Sequence, residues 1–160
     1  MNFKALNKNF LLIIFATLFL SACATQVKKV DSQLQGDVYT GTDTVEYLAK
    51  GVPDRVFFAT NESVLTTASR DTLRKQAAWM RKNSSLSFVI EGHADERGTR
   101  EYNLALGERR ANAAKDYLMT YGISGNRLSV ISYGKERPVN SGSNPLAWSQ
   151  NRRSVTVKTN

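Results

Sequence analysis

Apolar and polar positions follow different patterns in three parts of the chain. Residues 10–20 (FLLIIFATLFL) are apolar except for Thr17. Residues 24–50 are polar, without any sustained apolar period. From about residue 53 onward, short runs typical of strands alternate with longer segments in which apolar positions recur every three or four residues. These patterns predict an export signal, a linker and one folded domain, in that order.

The third part predicts four strands and two helices. The strands cover residues 55–59, 86–91, 128–133 and 154–158, and the helices cover residues 66–82 and 102–121. Thr66 or Thr67 is available to cap the first helix, and Gly122 follows the second. The order β-α-β-α-β, then a loop and a last strand, predicts a two-layer α/β (α+β) sandwich with both helices on one face of a four-stranded sheet.

The N-terminus has the features of a cleaved and lipidated leader. Lys4 and Lys8 precede the apolar run, which is shorter than the roughly 20 residues of a transmembrane helix. Leu20-Ser21-Ala22-Cys23 resembles a bacterial lipobox. This predicts a signal peptide over residues 1–22 and a covalent diacylglycerol and N-acyl chain on Cys23, the only cysteine.

Residues 23–52 are interpreted as a lipidated cysteine with a flexible tether, and residues 53–160 as the folded domain. Ala24 follows the cysteine, where an aspartate would resemble an inner-membrane retention signal. The sequence therefore favours the outer membrane, with the anchor in its inner leaflet and the domain facing the periplasm.

The chain is basic. Its formal charge is +8, and removal of residues 1–22, which hold two lysines and no acidic residue, lowers the charge by two to +6. A basic surface favours an anionic partner. Outside the cytoplasm, anionic lipid headgroups or cell-wall carboxylates fit better than nucleic acid, which is not expected as a partner.

The densest group of chemically active residues is residues 91–99 (EGHADERGT), between a predicted strand and a predicted helix. In the helix that follows, Arg110 falls within an apolar stripe, whereas Arg109 is turned about 100° away. A partly buried arginine needs an acceptor, and Asp95 lies just before the helix. An Asp95/Arg110 pair is therefore a candidate site for a ligand with both an ammonium and a carboxylate group, or else a structural salt bridge.

Residues 91–111 (EGHADERGTREYNLALGERRA) closely resemble the motif of the outer-membrane protein A-like peptidoglycan-binding domain. Residues 132–138 (SYGKERP) and 151–153 (NRR) add to the resemblance, which covers roughly residues 53–160. With the lipobox and tether, the whole chain is similar to the lipoproteins of the Tol–Pal system.

This resemblance implies non-covalent binding of peptidoglycan through the diaminopimelate of its stem peptides. The motif aspartate and arginine fall on Asp95 and Arg110, and Asn103 and Leu106 match residues that line the same groove. The resemblance also implies docking to TolB and other Tol proteins, a link between outer membrane and cell wall, and a role in cell division. An outer-membrane protein A-like lipoprotein without Tol partners is the alternative.

One departure concerns the first strand of the domain. The family usually reads Phe-Asp-Phe-Asp, whereas this chain has Phe58, Ala59, Thr60 and Asn61. Ligand contacts made by the two missing aspartate side chains are expected to be weakened or moved. Backbone contacts at these positions could survive.

The remaining candidates favour binding over catalysis. His93, the only histidine, lacks the companions of a zinc site or a catalytic triad and is interpreted as structural or partner-facing. Trp79 and Trp148 are expected to pack in the core or at an interface rather than to carry a ligand. No paired acid or metal centre supports a peptidoglycan hydrolase, so the protein is predicted not to be an enzyme and to need no cofactor beyond its lipid.

Overall fold

We describe residues 34–159 in a computed structural model. The predicted signal peptide and Cys23 lie outside this range. In chain order the elements are β1 (Leu34–Gln35), β2 (Val38–Tyr39), β3 (Tyr47–Ala49), β4 (Val52–Pro53), β5 (Arg55–Phe57), α1 (Thr67–Lys82), β6 (Ser87–His93), α2 (Arg100–Thr120), a 3-10 turn (Gly125–Arg127), β7 (Leu128–Gly134), α3 (Pro145–Asn151) and β8 (Arg153–Thr159).

The central sheet has four strands in the order β5-β8-β6-β7. β8 is antiparallel to both of its neighbours, and β6 and β7 are parallel. Two parallel neighbours need a crossover connection, which α2 supplies. The first loop of this crossover starts at the carboxyl end of β6, so residues 94–99 lie at one edge of the sheet.

Both long helices begin with a threonine cap. The Thr66 hydroxyl accepts a hydrogen bond from the Ser69 amide at 3.1 Å, and the Thr99 hydroxyl accepts one from the Tyr102 amide at 3.2 Å. Each bond satisfies one of the amides left free in a first helical turn. The Thr99 cap also fixes the point at which the 94–99 loop becomes helix.

The core lies between the two helices and one face of the sheet. Phe88 and Ile90 of β6 pack there with Leu73 of α1 and Leu118 of α2, and each is at most 1% exposed. α2 approaches β6 closely at Gly92, where an added Cβ would lie 1.8 Å from the carbonyl oxygen of Gly107. The predicted fold class, with helices on one face of a four-stranded sheet, is confirmed.

Residues 34–53 form two short antiparallel hairpins, β1-β2 and β3-β4. Tyr39 is 2% exposed, and its ring meets that of Phe57 edge-on at 4.8 Å. The polar pattern of residues 23–52 predicts a flexible tether, with the domain starting at residue 53. Strands of two or three residues are too short to show an apolar period, so this pattern could not reveal them.

α3 lies in a segment that we predicted to be a loop. Asn144 caps it by accepting a hydrogen bond from the Ala147 amide at 3.0 Å, and Pro145 opens its first turn. Seven residues are too few for a helical apolar stripe to stand out. Within residues 34–159, no helix is both long and apolar enough to cross a membrane.

Candidate functional site

Asp95 lies just beyond the carboxyl end of β6 and is 7% exposed. One carboxylate oxygen accepts hydrogen bonds from the amide and the Nε of Arg97, both at 3.1 Å. The other accepts from Nη2 of Arg97 at 2.7 Å and from Nη1 of Arg152 at 3.3 Å. Burial by itself would raise the pKa of Asp95, but these hydrogen bonds hold it below its ordinary value. The carboxylate is therefore ionised and held between two guanidinium groups.

Arg110 is completely buried in α2. Its Nε donates to the carbonyl of Glu62 at 2.8 Å, its Nη1 to that of His93 at 2.8 Å and its Nη2 to that of Ala59 at 3.0 Å. Burial, together with the charge of Arg152, lowers the pKa of Arg110 to about 10. The guanidinium thus fastens the loop after β5 to the end of β6.

The predicted direct pair between Asp95 and Arg110 is not formed in the described structure. Among the described residues, no carboxylate oxygen lies within 4.0 Å of the Arg110 guanidinium, and Asp95 pairs with Arg97 and Arg152 instead. The prediction that Arg110 faces inward was right, and Arg109 is exposed. What helical spacing could not show is that backbone carbonyls from two other segments would be its acceptors.

The other two predicted site residues lie on the same side of α2. Asn103 is 2% exposed and donates from its side-chain amide to the carbonyl of Arg97 at 2.8 Å. Leu106, 3% exposed, lies one turn further along the helix. Asn103 therefore holds the turn that carries Arg97, and Leu106 is a buried apolar residue on the same side of α2.

The loop that departs from the family pattern contributes backbone carbonyls to the site. Ala59 supplies a carbonyl to Arg110, and the carbonyl of Phe58 accepts from Nε of Arg152 at 3.1 Å. Asn61 adopts a left-handed backbone, with φ of 57°, a conformation that asparagine tolerates better than most residues. The two missing aspartate side chains therefore leave these backbone contacts intact.

Arg152 and Asp37 are site residues that sequence reasoning did not identify. Arg152 is 3% exposed, and besides Asp95 it contacts the backbone carbonyl of Asp37 and lies 3.8 Å from the Asp37 carboxylate. The Asp37 carboxylate also accepts from the Thr60 amide at 2.6 Å. The NRR segment was a visible signal for Arg152, whereas nothing in the polar segment around Asp37 indicated a contact.

An aromatic side chain borders the site. The Arg97 guanidinium lies 4.4 Å from the centre of the Trp148 ring, and the indole N–H donates to the carboxylate of Glu96 at 2.8 Å. Trp148 therefore packs against charged residues of the 94–99 loop, whereas Trp79 packs edge-on against Phe88 of the core. No group of three potential metal ligands occurs within residues 34–159. The charged groups of the site are carboxylates and guanidinium groups, which suit the binding of a charged ligand.

A family model described as the OmpA family matches residues 57–152. A peptidoglycan-associated lipoprotein of Mesorhizobium japonicum is 44% identical, over 96% of this chain and 94% of its own length. The protein of the same name from Rhizobium meliloti is 43% identical, over 92% of this chain and 85% of its own length.

Solved structures agree. The crystal structure of the peptidoglycan-associated lipoprotein from Burkholderia pseudomallei matches with a TM-score of 0.65 and 34% identity, over 66% of this chain and 90% of that one. The C-terminal domain of Helicobacter pylori MotB has a TM-score of 0.62 at 19% identity, over 67% of this chain and 84% of its own, and shows the shared fold alone.

The chain therefore belongs to the OmpA family and, within it, to the peptidoglycan-associated lipoproteins. This confirms the family that the sequence motif predicted. The peptidoglycan-associated lipoproteins are structural proteins of the cell envelope and not enzymes, and this chain is therefore not an enzyme. This agrees with the prediction from the sequence.

Proposed function

We propose that this protein is an outer-membrane lipoprotein that binds peptidoglycan non-covalently and so links the membrane to the cell wall. The relatives that cover nearly its whole length carry the name peptidoglycan-associated lipoprotein. The observation that carries the proposal for this chain is the buried, ionised Asp95 in the loop between β6 and α2, which is held by two arginines.

The ligand in this proposal is the diaminopimelate of a stem peptide, which carries an ammonium and a carboxylate on one carbon. Asp95 receives the ammonium. In the ligand-free structure Arg97 holds that position, but its side chain is 42% exposed and can leave for solvent. The buried Arg152 stays in place, so the carboxylate keeps one fixed partner while it exchanges the other.

Arg110 receives the ligand carboxylate. Three of its five N–H groups are bound to backbone carbonyls, which leaves two donors. The side chain has no exposed surface, and its bonds to Ala59 and Glu62 place the loop of residues 58–62 against it, so in this proposal the carboxylate enters between that loop and α2. Asn103 and Leu106 complete this groove on the α2 side.

The anchor in this proposal is Cys23, with a diacylglycerol and an N-acyl chain inserted in the inner leaflet of the outer membrane. The domain then faces the periplasm. We further propose that the protein acts in the Tol–Pal system, with TolB and other Tol proteins as partners, and supports envelope integrity and cell division. The resemblance to the family supports these partners. Cys23 lies outside the described residues.

Co-sedimentation with purified sacculi tests the wall-binding site. Residues 24–160, prepared without lipid, would be compared with the variants Asp95→Asn and Asp116→Asn. Asp116 is an exposed aspartate of α2, away from this site, and serves as the control for loss of one negative charge. We expect the wild type and Asp116→Asn to pellet, Asp95→Asn to stay in solution, and free diaminopimelate to release the wild type. Equal pelleting of all three, unchanged by diaminopimelate, would show that general charge attraction explains the binding.

A pull-down with purified TolB tests the partner separately. Retention of TolB supports a role in the Tol–Pal system. A protein that binds sacculi but does not retain TolB would instead be an outer-membrane protein A-like lipoprotein without Tol partners.

A further inference from the structure

The face of the sheet that points away from the helices contains a basin. Side chains alternate along β6, so that Phe88 and Ile90 enter the core while Glu91 and His93 point to the opposite face. On that face a cavity of about 590 Å³ lies between the sheet, β3 and the loop of residues 137–139. None of the residues proposed to bind diaminopimelate lines it.

A buried arginine in this basin has fewer partners than its burial requires. Arg153 is 6% exposed and donates only to backbone carbonyls, to that of Arg137 at 3.1 Å and to that of Asn151 at 3.4 Å. Within residues 34–159, its Nε has no hydrogen-bond partner and no carboxylate oxygen lies within 4.0 Å of its guanidinium. A buried charge in this state favours an external anion.

The acidic residues of the basin do not fill this role. Asp54 accepts two hydrogen bonds from Arg55, at 2.8 and 2.7 Å, and Glu46 lies 3.5 Å from the same guanidinium. Glu91 lies 3.5 Å from Nε2 of the neutral His93 and more than 4.0 Å from the Arg153 guanidinium, and burial raises the pKa of Glu91. Arg137 and Lys158 add two further positive charges to the lining.

Exposed apolar side chains surround the basin. Tyr47 is 57% exposed, Val139 is 37% exposed and Val157 is 38% exposed, and all three line the cavity. Ile131, 40% exposed, lies on the same face in register with Glu91. A group of exposed large apolar residues is typical of a surface that another protein covers.

We propose that this basin docks a partner protein through one acidic side chain that is flanked by apolar residues. The carboxylate accepts hydrogen bonds from Arg153, including its free Nε–H, in the manner of a guanidinium–carboxylate pair. The flanking side chains pack on Tyr47, Val139 and Val157. Charge complementarity to an unpaired guanidinium, together with the apolar rim, specifies this partner surface. None of the residues proposed to bind diaminopimelate takes part in this contact.

A pair of short peptides tests the proposal on the full chain, purified in detergent and labelled with ¹⁵N. The probe is acetyl-Leu-Glu-Leu-amide, and the matched control is acetyl-Leu-Gln-Leu-amide. We expect the Glu peptide to shift the Arg153 Nε–H resonance to saturation and to bind about ten-fold more tightly than acetate, because partial burial of its leucines adds to the ion pair. A Gln peptide that binds equally well would overturn the role of the carboxylate. If acetate bound as tightly as the Glu peptide, the basin would be a simple anion site, and the proposal that it docks a protein would be wrong.

Variants separate the contribution of the ion pair from that of the apolar contacts, and the basin from the Asp95 site. Arg153→Lys keeps the buried positive charge but loses the fork of donors, and we expect it to weaken the Glu peptide at least ten-fold. Val157→Ser should weaken it several-fold without altering acetate binding. Asp95→Asn should bind the peptide like the wild type, so that failure of this proposal is distinct from failure of wall binding. An Arg153→Lys variant with undiminished affinity would contradict the proposal.

Discussion

The guanidinium of Arg97 donates two hydrogen bonds to the Asp95 carboxylate, at 3.1 and 2.7 Å. It thereby holds the place that the proposed function gives to a ligand ammonium. Arg97 also lies over the Trp148 ring, a cation–π contact that does not involve Asp95.

Arg97→Ala should tighten the binding of diaminopimelate several-fold, because the ligand ammonium would no longer compete with a resident cation for Asp95. Calorimetric titration with free diaminopimelate measures the effect. Arg100→Ala, an exposed neighbour that pairs with Glu136 at 3.4 Å, is the control and should leave the affinity unchanged. Weaker binding by Arg97→Ala would mean that Arg97 contacts the ligand itself.

Arg110→Met should destabilise the domain by about 3 kcal/mol or more, because three backbone carbonyls lose a charged donor in a buried setting. The loop of residues 58–62 would lose its attachment to α2 at the same time. Urea unfolding gives the free energy of unfolding directly. Arg109→Met removes an exposed arginine at the next position, and its effect should stay within about 0.5 kcal/mol. Equal stability of both variants would show that the carbonyl contacts of Arg110 contribute little.

The stability of the domain should fall as the pH drops below 6.5, because His93 is buried and neutral. Burial, with the nearby charge of Arg153, lowers its pKa from 6.5 to about 3. The unfolded chain therefore takes up a proton near pH 6.5 that the folded protein does not, and the contribution present above that pH is lost as the pH falls toward about 3.

Replacement of His93 by phenylalanine, which keeps an aromatic ring beside Tyr133, should remove this dependence. Between pH 6.5 and 5.5 we expect the wild type to lose about 1 kcal/mol and His93→Phe to lose almost none. Glu91 has a raised pKa and acts in the opposite direction at lower pH, so the comparison belongs above pH 5.5. Parallel pH profiles would show that His93 accepts a proton in the folded state.

Gly92→Ala should prevent close packing of α2 on β6. Its Cβ would lie 1.8 Å from the Gly107 carbonyl oxygen, and backbone on both sides leaves no flexible side chain to move. We expect a loss of about 3 kcal/mol or more in the free energy of unfolding. Gly125→Ala is the matched control, since its Cβ would meet only the mobile end of Met119, at 3.3 Å. A Gly92→Ala variant as stable as Gly125→Ala would contradict the packing shown by the fold.

The long elements of the fold could be predicted because their patterns span several turns or pleats. The helix expected at residues 66–82 runs from Thr67 to Lys82, and Thr66 caps it as one of the two threonines considered. The strand expected at residues 86–91 runs from Ser87 to His93. In each case the buried positions repeat often enough along the element for the period to be read from sequence.

The candidate site was only partly predictable. The motif located Asp95 and Arg110, yet their partners are contributed by Arg152, 57 residues after Asp95, and by carbonyls of the loop after β5. Contacts between residues so far apart in the chain depend on the order of the strands in the sheet. Every residue has a backbone carbonyl that can accept a hydrogen bond, so the spacing of residue types does not show which carbonyls are used. The helical spacing indicates a direct Asp95–Arg110 pair, whereas each residue has other partners in the structure. Their role in binding a ligand stays a prediction.

The contact between Asp37 and Arg152 has a mechanical consequence. Arg152 joins Asp37 to Asp95, so the N-terminal end of the described chain enters the fold beside the candidate wall site and not across the core from it. A tensile load between a membrane anchor and a wall-bound ligand would then pass through a few side chains at one edge of the domain. Stretching of the envelope would then strain this attachment point before it strained the hydrophobic core.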